Sequence, residues 1–156
     1  MRLDKYRVGF TLLEMVLVLG IIAVAGLIIA PRWAAAIPGW NLTAETQRFV
    51  TDIKRAQQMA KANQINYGIR MDQGANAYYY GYDDGSGFIN MDSHYFQGGV
   101  TINNVGSWSP ANDIFFDHLG SPQVSSEAQV TLQDKNGKLT RVTIRTATGA
   151  LFYESN

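Results

Sequence analysis

The chain has 156 residues, with 13 basic and 13 acidic side chains, a formal net charge of zero and no cysteine. The lack of cysteine excludes disulfides, thiolate metal sites and thiol nucleophiles. The first nine residues hold three basic and one acidic side chain, so the remainder carries ten basic and twelve acidic ones. This balance argues against a surface of clustered cations for nucleic-acid phosphates. The length leaves room for one membrane segment and one domain of about 100–120 residues.

An apolar run near the start dominates the sequence. From Phe10 to Ala30, only Thr11 and Glu14 interrupt its apolar character. As a helix with about 1.5 Å of rise per residue, the run would be about 31 Å long, close to the thickness of a bilayer's hydrocarbon core. Basic side chains in front of the run predict that the N-terminus stays in the cytoplasm and that the rest is exported. The sequence therefore predicts a single membrane-spanning helix.

Two simple interpretations of this segment leave one residue unexplained. An ordinary secretory signal is disfavoured because the run is long and its nearest small-residue cleavage site is the alanine run at 34–36. A plain membrane anchor does not explain Glu14, since a carboxylate inside a membrane helix is costly and usually has a partner. A cut after Gly9 would free the α-amino group of Phe10, one helical turn from Glu14. That amine could belong to the same chain or to a neighbour, where a buried charge pair could fix the axial register of subunits.

These residues resemble a known signal. The stretch Gly9-Phe10-Thr11-Leu12-Leu13-Glu14, the short basic leader and the apolar run that ends at Pro31 are similar to the class III signal of type IV pilins and type II secretion pseudopilins. The resemblance implies that a prepilin peptidase cuts after Gly9 and N-methylates Phe10. It also implies that Glu14 is the assembly carboxylate and that Pro31 kinks the helix.

After Pro31, the sequence predicts an amphipathic continuation of the helix to Asn63. The pair Pro38-Gly39 predicts a second bend or a short break. An apolar stripe at helical spacing follows and predicts a buried face that packs on a sheet. The stripe consists of Leu42, Thr46, Phe49, Ile53, Ala56 and Ala60.

The remaining sequence predicts a β-rich domain of about seven short strands. The strands are expected around residues 65–71, 78–82, 99–102, 114–116, 130–132, 141–144 and 150–153, and Asn136-Gly137 predicts a hairpin. The loop at 83–87 lacks the spacing of an EF-hand, so it is interpreted as an acidic turn rather than a calcium site, and His118 as a turn residue. The predicted fold class is α+β: a long N-terminal helix, with a transmembrane half and an amphipathic half, packed on a C-terminal antiparallel β domain.

Within the family, the second half is most similar to the H-type minor pseudopilins and the FimT group. The resemblance lies in the helix that ends near Asn63, in the segment from Ile114 to Gly120, and in the hairpin that leads to Gly149. The chain lacks the cysteine-bounded loop of major pilins and, after Val130, the acidic calcium loop of major pseudopilins. The resemblance implies a minor pseudopilin at or near the tip of a periplasmic type II secretion pseudopilus, which supports protein export.

The alternative is a FimT-like minor type IV pilin that binds DNA in natural transformation or primes pilus assembly. Its candidate cations are Arg141 and Arg145, but the tail after Gly149 has no basic residue, so nucleic acid is not a predicted partner. The predicted partners are the prepilin peptidase, other pseudopilins or pilins through helix packing, the inner-membrane assembly platform and the lipid bilayer.

The sequence has no nucleophile motif, phosphate loop or metal-ligand spacing, so neither an enzyme nor a cofactor is predicted. The predicted organisation is a leader peptide at 1–9, a transmembrane and assembly helix at 10–31, its amphipathic continuation at 32–63 and a periplasmic β domain at 64–156. We expect the chain to reside in the bacterial inner membrane, with its C-terminal domain in the periplasm, and then in a periplasmic filament.

Overall fold

The computed structural model describes residues 10–106, 112–124, 126–146 and 149–155, without the side chains of residues 27–35. The chain divides into two compact units after Ile37. Helix α1 (Leu12–Asn63) begins in the first unit and ends in the second. All of the described strands belong to the second unit.

The predicted break at Pro38-Gly39 is wrong, because α1 continues as a helix through both residues. A proline inside a helix costs about 3 kcal/mol, but it removes only one backbone donor. The alanines at 34–36 are strong helix formers and favour the helix on the N-terminal side. On the C-terminal side, the Thr43 hydroxyl donates to the carbonyl oxygen of Gly39 at 3.0 Å.

Eight strands lie in the described part of the second unit: β1 (Tyr67–Asp72), β2 (Ala77–Asp83), β3 (Phe88–Tyr95), β4 (Thr101–Gly106), β5 (Asp113–Phe116), β6 (Ala128–Gln133), β7 (Leu139–Ile144) and β8 (Leu151–Ser155). They form two four-stranded sheets with the orders β3-β2-β1-β5 (sheet A) and β4-β6-β7-β8 (sheet B). Every neighbouring pair is antiparallel. The α+β class is confirmed, and β3 is the strand that the sequence did not predict.

The second half of α1 supplies one side of the hydrophobic core. All six residues of the predicted stripe are buried, and its apolar members share one cluster with buried residues of both sheets. The ring of Phe49 packs edge-on against Tyr78, with centroids 5.0 Å apart, and lies 6.1 Å from Phe96. The helical periodicity therefore identified the buried face correctly.

Two predicted turns are explained by local hydrogen bonds. The hairpin between β6 and β7 is confirmed, and the Asp134 carboxylate accepts the backbone N–H groups of Asn136 and Lys138 at 2.8 and 2.9 Å. In the acidic turn after β2, the carboxylates of Asp83 and Asp84 accept the backbone N–H groups two residues ahead, both at 2.9 Å. These carboxylates therefore stabilise the turn in the way that aspartates commonly do.

Candidate functional site

The N-terminal end of α1 is capped by Thr11. The backbone N–H of Glu14 donates to the Thr11 hydroxyl oxygen at 3.2 Å, and that of Met15 donates to the Thr11 carbonyl oxygen at 3.2 Å. Threonine three residues before glutamate is the spacing of a capping box, in which the side-chain oxygen satisfies a free backbone donor. The cap was not predicted, although the Thr-x-x-Glu spacing of Thr11 and Glu14 is the sequence signal that could have identified it.

The predicted site residues next to this cap are only partly described. The side chain of Phe10 is 74% exposed and that of Glu14 is also exposed. Glu14 lies in the first turn of α1, where a negative charge interacts favourably with the helix dipole. Gly9 lies outside the described residues, so the cut after it and the pairing of Glu14 with a free amine stay predictions. The backbone at Pro31 is helical, whereas its side chain is not described, and the kink also stays a prediction.

The first part of α1 exposes an apolar surface. Ten large hydrophobic side chains among residues 12–24 are exposed, and most of them are consecutive, so they cover every side of the helix. A helix that is apolar all round is buried in its functional setting, in a membrane or among other helices. The ten exposed side chains are Leu12, Leu13, Met15, Val16, Leu17, Val18, Leu19, Ile21, Ile22 and Val24.

Among the residues that the structure describes, no helix has both the length and the apolar character required to cross a membrane. The predicted span at 10–31 includes residues 27–31, whose side chains lie outside the described set.

A second candidate site is a polar cleft between α1 and β3, which the sequence analysis did not predict. The cleft has a volume of about 90 Å³. Next to it, Nε2 of His94 lies 2.6 Å from a carboxylate oxygen of Glu45, and the Tyr78 hydroxyl donates to Asp52 at 2.5 Å. Burial raises the pKa of Tyr78, and the neighbouring Asp52 carboxylate raises it further. The cleft is lined by Arg48, Asp52, Arg55, Tyr78, Tyr80, Asp92, Ser93 and His94.

Of the two arginines considered for DNA binding, Arg141 lies in β7 and Arg145 directly follows that strand, and each has a carboxylate close by. Arg141 is paired in register with Glu154 of β8. Nε of Arg145 lies 3.6 Å from Glu127, and its guanidinium stacks on Phe152 at 4.6 Å from the ring centroid. The neighbouring carboxylates weaken the attraction of this surface for phosphate groups.

The described part of the chain contains no group of three or more His, Cys, Asp or Glu residues placed to hold a metal ion. The candidate sites in the described residues are the capped apolar helix and the polar cleft.

Comparison with known proteins gives matches among solved structures. No family model and no curated protein sequence matches the chain. The chain is similar to the minor pseudopilin EpsH from the type 2 secretion system of Vibrio cholerae, with a TM-score of 0.61 and 14% identity over 74% of this chain and 97% of that chain. A second EpsH structure gives a TM-score of 0.57 and 13% identity over 72% of this chain and 92% of that one.

The chain is also similar to the type IV minor pilin FimU of Pseudomonas aeruginosa. The TM-score is 0.59 and the identity is 16%, over 72% of this chain and 87% of that chain. The matched proteins are thus a minor pseudopilin and a minor pilin. At identities this low, the structural similarity demonstrates a shared fold and no more. The chain therefore has the type IV pilin-like fold, in which a long N-terminal helix packs on antiparallel β-sheets.

Proposed function

We propose that the chain is a minor pseudopilin, a structural subunit at or near the tip of a type II secretion pseudopilus that supports protein export. The observation that carries the proposal is the fold similarity to EpsH, which extends over 97% of that protein's chain. The exposed apolar surface of residues 12–24 supports it as well, because a filament subunit needs a helix that can be buried among other helices.

In the proposed mechanism, the apolar helix is held in the inner membrane until assembly. A prepilin peptidase removes residues 1–9 and methylates the new terminus at Phe10. The carboxylate of Glu14 then pairs with the terminal amine of an adjoining subunit, which offsets the cost of a charge in an apolar bundle. Pro31 would bend the helix where it leaves the bilayer, and the second unit would contact its neighbours in the periplasm.

Complementation of a strain that lacks this gene tests the proposal. We expect Glu14→Ala to be cut and methylated normally, since it leaves Gly9 and Phe10 unchanged, but to abolish secretion and incorporation into the pseudopilus. Replacing Gly9 with valine should retain the leader, which mass spectrometry of the purified chain would detect.

The matched control is Glu154→Ala, which removes an exposed carboxylate of β8 far along the chain from the helix end. It should secrete as the wild type does. Full secretion by the Glu14→Ala chain would refute the proposed mechanism, and full secretion without the gene would refute the proposed function.

A minor type IV pilin is the second candidate, supported by the fold similarity to FimU. Loss of pili with normal secretion in the deletion strain would favour it over the pseudopilin. We do not propose DNA binding for either candidate. Arg141 and Arg145 each lie beside a glutamate, whose charge weakens their attraction for phosphate groups.

A further inference from the structure

We infer that the cleft between α1 and β3 receives an aspartate or glutamate side chain from a neighbouring subunit of the filament. This inference rests on the proposed function, since it requires a neighbour of the pilin type. It assigns one specific contact between subunits to the second unit, whereas the apolar helix would pack on neighbouring helices without such specificity.

Two arginine side chains line the cleft, and one of them, Arg48, also interacts with the Tyr78 hydroxyl that is bonded to Asp52. Arg48 and Arg55 line the cleft and are exposed. Neither takes part in any ion pair found among the described residues. The guanidinium of Arg55 lies over the ring of Tyr80, 4.9 Å from its centroid, which orients its N–H groups without neutralising its charge.

The acidic groups around the cleft already have donors. Asp52 accepts the Tyr78 hydroxyl, and the Asp92 carboxylate accepts the backbone N–H of Ser93 at 2.9 Å. Glu45 is paired with His94. Among the described residues, the guanidinium of Arg55 and the hydroxyl of Tyr80 remain at the cleft as donors without a carboxylate partner, and a ligand that complements these two groups must be an acceptor.

A buried hydroxyl adds an independent observation. Tyr80 lines the cleft, its side chain is only 4% exposed, and its hydroxyl oxygen has no hydrogen-bond partner in the described structure. Leaving a buried polar group unpaired costs about 1–3 kcal/mol. A carboxylate could accept the Tyr80 hydroxyl and an arginine N–H together, because its two oxygens accept about four hydrogen bonds.

The size and surroundings of the cleft fit this occupant. Its volume of about 90 Å³ exceeds the room of about 10–15 Å³ that a single water needs. The outward face of α1 next to it is basic, while its two acids, Glu45 and Asp52, are bonded to side chains of the sheet. This charge favours an acidic protein surface as the partner. The exposed cations of this face are Arg48 and Arg55.

Carbodiimide cross-linking tests for a carboxylate in the cleft. The reagent joins a lysine amine to a carboxylate as an amide and takes up the water that is lost, but it does not couple arginine. The Arg55→Lys variant of the full chain therefore places a reactive amine in the cleft while keeping the positive charge. In cells with assembled filaments, we expect a new cross-link to an aspartate or glutamate of a second pilin-type subunit, identified by peptide mapping.

The matched control is Arg141→Lys, which makes the same change on sheet B and should add no such cross-link. If Arg55→Lys couples only to Asp52 or Asp92 of its own chain, the inference is wrong. The wild-type chain gives the background from Lys54 and Lys61.

A charge reversal provides a second measurement. Arg48→Glu with Arg55→Glu should lower the amount of the subunit recovered in filaments by at least about tenfold, since removing charged partners from a contact typically costs more than 1.4 kcal/mol. Lys135→Glu with Lys138→Glu makes an equal charge change in the hairpin between β6 and β7 and should have little effect. Equal recovery of the two double variants, each with a wild-type melting curve, would overturn the inference.

The two proposals can fail separately. If secretion requires Glu14 but the Arg55→Lys amine finds no carboxylate of another subunit, the inference fails and the proposed function stands. If the gene is dispensable for both secretion and pili, the proposed function fails first, and the inference fails with it.

Discussion

Two buried side chains of sheet A, Tyr78 and His94, are attached to α1 by hydrogen bonds. The Tyr78 hydroxyl donates to Asp52, and the imidazole of His94 contacts Glu45, which lies 49 positions earlier in the sequence. Burial and the Asp52 carboxylate both favour the protonated phenol, so the pKa of Tyr78 is raised. The native state therefore holds this proton more tightly than the unfolded state does.

This difference predicts a loss of stability in alkaline solution. An unfolded tyrosine releases its proton near pH 10, whereas native Tyr78 keeps it. The stabilisation is complete below about pH 10 and declines as the pH rises above that value, by at most about 1.4 kcal/mol per pH unit. Denaturant titrations between pH 8 and pH 11 should show a steeper decline for the wild type than for Tyr78→Phe. Parallel slopes would contradict the assignment of this proton to Tyr78.

The sequence alone could not predict residue pairs of this kind. The apolar stripe from Leu42 to Ala60 follows from spacing within one helix, so it could be predicted. Glu45 and His94 belong to different elements, and only the packing of α1 on sheet A brings them together. The cleft lined by Arg48 and Arg55 was not predicted for the same reason.

Among the elements, β3 was missed because its strand pattern is short. Ile89-Asn90-Met91-Asp92 alternate between apolar and polar residues, but all five residues from Ile89 to Ser93 are exposed, so the alternation marks no buried face. The pairing of β2 with β3 also shifts register between Tyr80 and Gly81. Such an irregularity is typical of an edge strand and breaks the period of two. The strands of the core, by contrast, were predicted within a few residues.

Where a turn lies against α1, the space beside the helix restricts which residues the turn can contain. Gly149 has φ near 64°, and a Cβ atom there would lie 2.6 Å from Nε2 of Gln57 and 3.1 Å from the carbonyl oxygen of Gly120. Gln57 donates to that same oxygen at 2.8 Å. Gly137 also has positive φ, at 84°, but its nearest neighbour would be 3.7 Å away.

These two glycines form a matched pair for measurement. Gly137→Ala should lower the free energy of unfolding by about 1–2 kcal/mol, the cost of a left-handed backbone with a side chain. Gly149→Ala should cost at least about 1 kcal/mol more, because it also displaces Gln57 from Gly120. Chemical denaturation of the two variants would give both values. A smaller loss for Gly149→Ala would mean that the turn moves away from α1 without cost.

At the scale of the whole molecule, the two units have different roles. The second unit contains the buried core, whereas the described large apolar side chains at residues 12–24 are exposed. Stability should therefore depend on the second unit, and assembly should depend on the first.

Two alanine substitutions separate these roles. Ile53→Ala removes a fully buried side chain and should lower the free energy of unfolding by about 2–5 kcal/mol. Leu19 is 65% exposed, so Leu19→Ala should change the free energy of unfolding by less than about 0.5 kcal/mol. The same substitution should lower the recovery of the chain in filaments. Thermal melts in detergent, compared with filament yields from cells, would test both. A large stability loss in Leu19→Ala would show that the apolar helix supports the core.

The threonine cap has a consequence for the order of events at the N-terminus. Because Thr11 ends α1 on that side, Phe10 and Thr11 lie outside the helix. Backbone groups outside a helix are free to pair with another protein in an extended conformation, as bound peptides commonly do. In the proposed cut after Gly9, Phe10 would enter the protease groove without unwinding a helical turn, and Thr11 would become the second residue of the shortened chain. The helix would then keep the same starting cap after the cut, since Thr11 lies on the retained side of it.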